Sequence, residues 1–262
     1  MQEIISNISI IGAGNLAWSL IPNLQKAGFQ VNQLISRSEE KRKLFQQTFY
    51  ITDAGENIAE INPQADLIFL TVSDQAITRV GEELASYLPE TAICVHTSGS
   101  TPLSDLSLLG ENTGVFYPLQ SFTRNQVSPF EMIPLFLEGS DYVLSVLKPI
   151  AKALSENVYI FDSEERRQLH LGAVWVNNFT NLMYRSAGKL IGDLPFDVYR
   201  PLIEGHLEKV FQLGPEATQT GPAVRGDVST LKKHLALLEE YPELRALYLK
   251  LSQEINPGLD LE

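Results

Sequence analysis

The stretch Ile8-Ser9-Ile10-Ile11-Gly12-Ala13-Gly14-Asn15-Leu16-Ala17 decides the fold. It reads as a strand, a tight turn and the start of a helix. Gly12 permits the turn, Gly14 lets the backbone approach a pyrophosphate, and small Ala17 lets the helix pack close to the strand. The helix N-terminus presents unsatisfied N–H groups and a positive dipole end to phosphate. Gly12, Gly14, Asn15 and Leu16 are therefore candidate dinucleotide contacts. Alone, Gly-x-Gly-x-x-Ala is a weak signal; its place at the head of an α/β series makes it strong.

Outward from this loop, short apolar runs alternate with amphipathic stretches, the pattern of βαβ units and a parallel sheet. Strands are expected at Ile4–Ile11, Gln30–Ser36, Phe49–Thr52, Ala65–Thr71, Thr91–Thr97, Val115–Ser121, Met132–Glu138 and Asn157–Ile160. Helices are expected at Asn15–Ala27, Glu39–Gln47, Glu56–Ile61, Asp74–Tyr87 and Tyr142–Ser155. The character changes near Asp162. Ser163–Ile191 is one long stretch without proline, begun by Ser163 with Glu164 and Glu165, and helical patterns succeed it at Phe196–Leu213, Asp227–Glu239 and Pro242–Glu254. The expected fold is α/β: a doubly wound Rossmann sheet over residues 1–160, then an all-helical domain over 161–262.

Bulk properties narrow the function. The 262 residues carry a net charge of −12, which disfavours nucleic acid and anionic membrane as general partners. An anionic cofactor must then be held by local devices. The single cysteine, Cys94, lies in an apolar run and is expected to be a small buried residue, so no disulfide or metal cluster is expected. Met1-Gln2-Glu3 runs directly into an apolar pattern with no cationic leader and no long apolar span, a cytoplasmic reading.

The end of the second strand indicates which dinucleotide. An NAD site places an acid about twenty residues beyond the loop to hold the ribose hydroxyls. Here Leu34-Ile35-Ser36-Arg37-Ser38 has no acid before Glu39. A guanidinium between two hydroxyls suits a 2′-phosphate, so Ser36, Arg37 and Ser38 point to NADP. Ligands of a doubly wound sheet collect at the carboxyl ends of its strands. That places Val72 and Ser73, and His96 and Ser98, beside the nicotinamide half. Asp74 reads as a helix cap, and the polar cluster after Val95 as either a structural turn or part of the site.

A set of ordered segments carries a resemblance. They are the glycine loop, His96-Thr97-Ser98-Gly99, Phe116-Tyr117-Pro118-Leu119-Gln120-Ser121-Phe122, Asn177-Asn178-Phe179 and Thr220-Gly221-Pro222-Ala223-Val224-Arg225-Gly226-Asp227. Together they resemble Rossmann-like NADP oxidoreductases with a helical C-terminal domain of unassigned function. These are related to the 6-phosphogluconate, 3-hydroxyisobutyrate and pyrroline-5-carboxylate reductase-type enzymes. The resemblance implies a C-terminal domain that often dimerises and an active cleft between the domains. In the hydroxyacid dehydrogenases of that group, a lysine on the first long C-terminal helix is the acid/base. The comparable stretch Leu169–Asn181 contains no lysine, and Asn177 falls roughly at its place. Asparagine polarises a carbonyl but transfers no proton at neutral pH.

His170, seven residues before Asn177 or two α-helical turns, is the candidate proton donor. Asn177, Asn181 and Ser98 are candidates to polarise the acceptor. Arg225 is a candidate clamp for a substrate carboxylate, while Asp227 reads as a helix N-cap. His96, Tyr117 and Gln120 are candidate pocket residues; His206 and His234 read as packed or capped. Two functions stay open: an NADP-dependent reductase of a small anionic carbonyl or imine, homodimeric through the helical domain, or a non-catalytic NADP-binding sensor that docks a partner.

Overall fold

In the computed structural model, residues 5–261 are described. The Met1-Gln2-Glu3 segment and the Ile4 end of the expected first strand lie outside them. The chain divides into two compact units, Met1–Val176 and Asn177–Glu262.

The first unit is built on one eight-stranded sheet. In chain order its elements are β1 (Ile8–Ile11), α1 (Asn15–Lys26), β2 (Val31–Ile35), α2 (Glu39–Phe49), β3 (Asp53–Gly55), β4 (Leu67–Leu70), α3 (Asp74–Leu84), β5 (Ile93–His96), β6 (Thr113–Pro118), β7 (Leu135–Gly139), α4 (Asp141–Leu154), β8 (Val158–Ile160) and α5 (Ser163–Ala173). The spatial order is β3-β2-β1-β4-β5-β6-β7-β8, with every pair parallel except β6–β7. This is the doubly wound order expected from the sequence, with the chain reversing at one edge.

Central strands are apolar throughout because both faces are covered. All four residues of β4 are fully buried, and alternate ones enter different cores. Leu67 and Phe69 join Leu20 and Leu24 of α1 and Val143 and Leu147 of α4. Ile68 and Leu70 join Ile77, Val80 and Leu84 of α3, with Cys94 buried among them as expected. Register places His96 level with Val115, and Val115 level with Glu138. Strand β6 therefore overshoots β5 by Phe116-Tyr117-Pro118, which stand beside the loop leaving β5.

Three local expectations are corrected. Phe49–Thr52 is not a strand: Phe45 and Phe49, four apart on α2, pack edge-on against Trp18 with ring centroids 5.1 and 5.0 Å away, so the helix runs on to Phe49. Tyr50 then turns the chain at φ 55°, and the strand forms at Asp53–Gly55, where the Gln33 amide donates to Asp53 at 2.6 Å. Glu56–Ile61 holds only a 3-10 turn, Ile58–Glu60, boxed by Asn57. The cap of α5 is Asp162, whose carboxylate accepts the Glu164 and Glu165 N–H groups; Ser163 is drawn elsewhere.

The long proline-free stretch is helical but not uniformly α. After α5 the backbone is π-helical over Val174–Phe179 before α6 (Thr180–Leu190). The division between units falls inside this segment, beyond the change of character at residue 160. The second unit continues with a 3-10 turn at Phe196–Tyr199, α7 (Arg200–Leu213), α8 (Pro215–Thr218), α9 (Val228–Leu237) and α10 (Pro242–Ile255). Its own core is small: Ala223, Leu231, Leu235, Leu259 and Leu261. Asp227 caps α9 as expected, accepting from the Thr230 N–H and hydroxyl.

Candidate functional site

A cleft of about 390 Å³ opens at the carboxyl ends of β1, β2 and β4. Gly12 turns the chain at φ 110°, and a Cβ there would stand 2.6 Å from the Thr71 carbonyl oxygen. The β1–α1 turn is thus pressed against the end of β4, where the Thr71 hydroxyl donates to the Gly12 carbonyl at 2.8 Å. Gly14 is the N-cap of α1, leaving the Asn15 and Leu16 N–H groups at the open end of the helix. The Asn15 side chain is engaged otherwise, donating to the Phe122 carbonyl at 3.0 Å.

The expected Ser36, Arg37 and Ser38, with Val72 and Ser73, all line this cleft. So do Lys41, Arg79 and Asn57, which the sequence reading did not single out. Lys41 had a signal: it lies in the first turn of α2 after the N-cap Ser38, whose hydroxyl accepts the Lys41 N–H at 3.3 Å. Of the local cations, Arg42 is committed to the Ser36 carbonyl and to Glu56. Among the described residues no carboxylate pairs with Arg37, Lys41 or Arg79. A second, smaller hollow of about 260 Å³ adjoins the glycine loop and adds Trp18, Arg124 and Asn125 to Lys41.

A further polar group gathers where β5 and β6 end. His96 is wholly enclosed; its Nδ1 accepts the Ser98 N–H at 3.2 Å, and its Nε2 has no partner among the described residues. Burial, with the Arg166 charge nearby, pushes its pKa down to about 3, so the imidazole is neutral and its proton sits on Nε2. Ser98 is also buried, its hydroxyl oxygen accepting the Ser100 and Thr101 N–H groups at 3.1 and 3.0 Å. Asp74 does not cap α3; Ser73 holds that place, and Asp74 accepts the Ser100 hydroxyl at 2.6 Å.

The loop so organised sets Gly99 against a hydrogen-bonded pair. Tyr117 Oη and His170 Nδ1 lie 3.0 Å apart, and a Cβ on Gly99 would stand 2.6 Å from that nitrogen and 2.6 Å from Tyr117 Cζ. Burial first, and the Asp74 charge second, push the Tyr117 pKa up to about 12, so it stays a neutral phenol. Next to this pair Arg166 is buried on α5. It bonds Glu138 of β7 and the Thr101 carbonyl.

The structure thus brings His96, Ser98, Tyr117 and His170 together. Gln120 is exposed and accepts the Ser121 N–H in a local turn. Asn177, Asn181 and Arg225 belong to the second unit and are exposed. The Asn177 amide donates to Asn178 at 3.3 Å. The two-turn spacing from His170 to Asn177, and the shared face of Asn177 and Asn181, assumed α-helix throughout. The i→i+5 bonding of Val174–Phe179 widens each turn, so the two-turn relation of His170 to Asn177 does not carry through this segment, whereas residues four apart stay close to one face. His234 is packed, its Nδ1 2.7 Å from Tyr248 Oη.

Comparison with known proteins finds relatives of both ends of the chain. Residues 7–98 match the family described as coenzyme F420-dependent NADP oxidoreductase, and residues 133–255 match a domain of unknown function, DUF2520. A crystal structure of a provisionally named NADP oxidoreductase from Bacteroides fragilis is 39% identical, with a TM-score of 0.89 over 96% of this chain and 98% of that one. Prephenate dehydrogenase from A. aeolicus, solved with hydroxyphenyl propionate and NAD+, is 17% identical, with a TM-score of 0.62 over 99% and 100% of the two chains. A pyrroline-5-carboxylate reductase from Coxiella burnetii is 18% identical, with a TM-score of 0.56 over 96% and 99%. These last two share the fold. No curated protein matches the chain. A glycine loop closed onto Thr71, a sheet in the doubly wound order and relatedness over nearly the full length agree: the chain belongs to the Rossmann-fold NADP oxidoreductases that carry a DUF2520 C-terminal domain.

Proposed function

We propose that the protein reduces a small anionic carbonyl or imine with NADPH, and that His170 supplies the proton. The observation that carries this reading is the Tyr117–His170 pair held against Gly99 at the carboxyl edge of the sheet that also bears the dinucleotide cleft. Hydride would pass from the nicotinamide to the acceptor carbon. Protonated His170 would donate Nδ1–H to the Tyr117 oxygen and release its Nε2 proton to the acceptor heteroatom. The neutral imidazole would then accept the Tyr117 hydroxyl at Nδ1, so one hydrogen bond persists through both states. Ser98 and His96 support this loop from beneath. Of the second unit's polar residues, Asn177 and Asn181 are proposed as carbonyl-polarising groups and Arg225 as a clamp for an anion.

NADP rather than NAD is favoured by the charges of Arg37, Lys41 and Arg79 around the end of β2. An anionic substrate is in keeping with two fold relatives, one named for a carboxylate and one solved with a propionate. A homodimer is supported by the second unit, whose large apolar side chains Leu194, Val198, Leu202, Phe211 and Leu213 are exposed in the single chain. The direct test is stopped-flow oxidation of NADPH against a panel of keto and imino acids. Turnover with at least one, reduced at least about 100-fold in His170→Asn, is the expected result. Tight NADPH binding without turnover of any of them would overturn the reading.

A further inference from the structure

Helix α5 carries the proposed proton donor, yet its only buried residue is a charged one, Arg166. Leu169, half-buried against the cluster of Val115, Tyr117 and Phe136, is its main apolar anchor. Its placement therefore depends on a polar seam. Ser163, Arg166 and His170 recur at i, i+3 and i+7 and share one α-helical face. Each is engaged: the Ser163 hydroxyl donates to Glu138 at 2.8 Å and its oxygen accepts the Leu103 N–H at 2.9 Å, Arg166 bonds Glu138 and the Thr101 carbonyl, and His170 meets Tyr117.

Arg166 holds two walls at once. Through Glu138 it fixes α5, and hence His170, to β7. Through Thr101, whose N–H donates to Ser98, it fixes the loop that presses Gly99 against the same imidazole. We propose that Arg166, clamped by Glu138, is a positioning residue that sets His170 against Tyr117 and Gly99 for proton delivery. The inference rests on the role given to His170 above. Only arginine suits it: a planar fork reaches a carboxylate and a carbonyl together, whereas an ammonium is a single compact point of charge.

The test compares Arg166→Lys, Glu138→Gln and His170→Asn in the full chain, with 15N-labelled imidazoles observed by NMR and NADPH affinity measured alongside. Loss of the His170 signal in His170→Asn assigns it. In Arg166→Lys that signal is expected to leave its hydrogen-bonded position for that of a solvated imidazole, with the Kd for NADPH within about twofold. Turnover should fall on the order of 10–100-fold, the scale of an ångström-sized misplacement. Adding Arg166→Lys to His170→Asn should cost nothing more. Where Arg166→Lys fails to fold, Glu138→Gln, which keeps the acceptor geometry, carries the same expectations at smaller amplitude. An unmoved His170 signal in the folded variants overturns the positioning role alone. Wild-type turnover in His170→Asn overturns the proton-donor reading and the catalytic half of this one. A double variant slower than His170→Asn by the full Arg166→Lys factor marks Arg166 as merely structural.

Discussion

The two units bury themselves in opposite ways. In Met1–Val176 the sheet is sandwiched by two apolar clusters, and strands such as Leu67–Leu70 have no exposed side chain. In Asn177–Glu262, helices α6 and α7 bury no residue at all, while Phe211 is 87% exposed and Leu202 71%. Apolar surface of that extent is destabilising in water unless something covers it. The contrast is that the sheet of the first unit buries its own apolar residues, whereas helices α6 and α7 of the second leave theirs exposed, which is the surface the proposed dimer would use.

Four measurements sharpen or break this contrast. Phe69→Ala, which removes a ring packed edge-on against Phe116 at 5.3 Å, should cost about 3–5 kcal/mol in chemical denaturation. A loss under about 1 kcal/mol would mean the first unit is less self-sufficient than its burial implies. Next, Phe211→Asp with Leu202→Asp should weaken the proposed dimer at least about 100-fold, read by light scattering, since charges replace apolar contacts. A wild-type chain that is monomeric at micromolar concentration would remove the dimer from the proposal. Third, Arg37→Ala with Lys41→Ala should weaken NADPH binding on the order of 10–100-fold and leave NADH little changed. Equal losses for both cofactors would break the assignment of these cations to a 2′-phosphate.

The smallest effect concerns His96. Its pKa is about 3 in the folded chain against an ordinary 6.5, so between those values the unfolded chain holds a proton that the folded one does not. Folded stability is therefore lost as pH falls below 6.5 and stops being lost near 3. At pH 5.5 this amounts to roughly 1 kcal/mol. His96→Asn keeps an acceptor for the Ser98 N–H without titrating, and should flatten the acid limb of the stability curve by that amount. Parallel acid limbs in the two proteins would sink the claim.

Sequence alone carried the doubly wound class and the places of the central strands because each is an apolar run bounded by turn residues, and because Gly12 and Gly14 fix where the first turn lies. It failed at β3, since Asp53-Ala54-Gly55 has no apolar signature and owes its place to Gln33 and to pairing with β2. The site was legible in part. His170 and Tyr117 were found as separate candidates, but their 3.0 Å pairing joins residues 53 apart and leaves no local pattern. Arg166 looked like any charge on a helix face; only Glu138, on a strand, reveals it as buried. The π-helical segment likewise had no signal, and with it went the spacing argument for Asn177.

One fastening has a kinetic consequence. Asn15, Ser19 and Asn23, at successive turns of α1, bond the segment Phe122–Phe130 across more than 100 residues of chain. Contacts of such separation form late in folding, because loop closure must precede them. Asn15 also belongs to the glycine turn proposed to receive the dinucleotide. Competence to bind NADPH should therefore emerge in the last refolding phase of the first unit, after most of its strand pairing, which makes the cofactor a clock for completion of the fold.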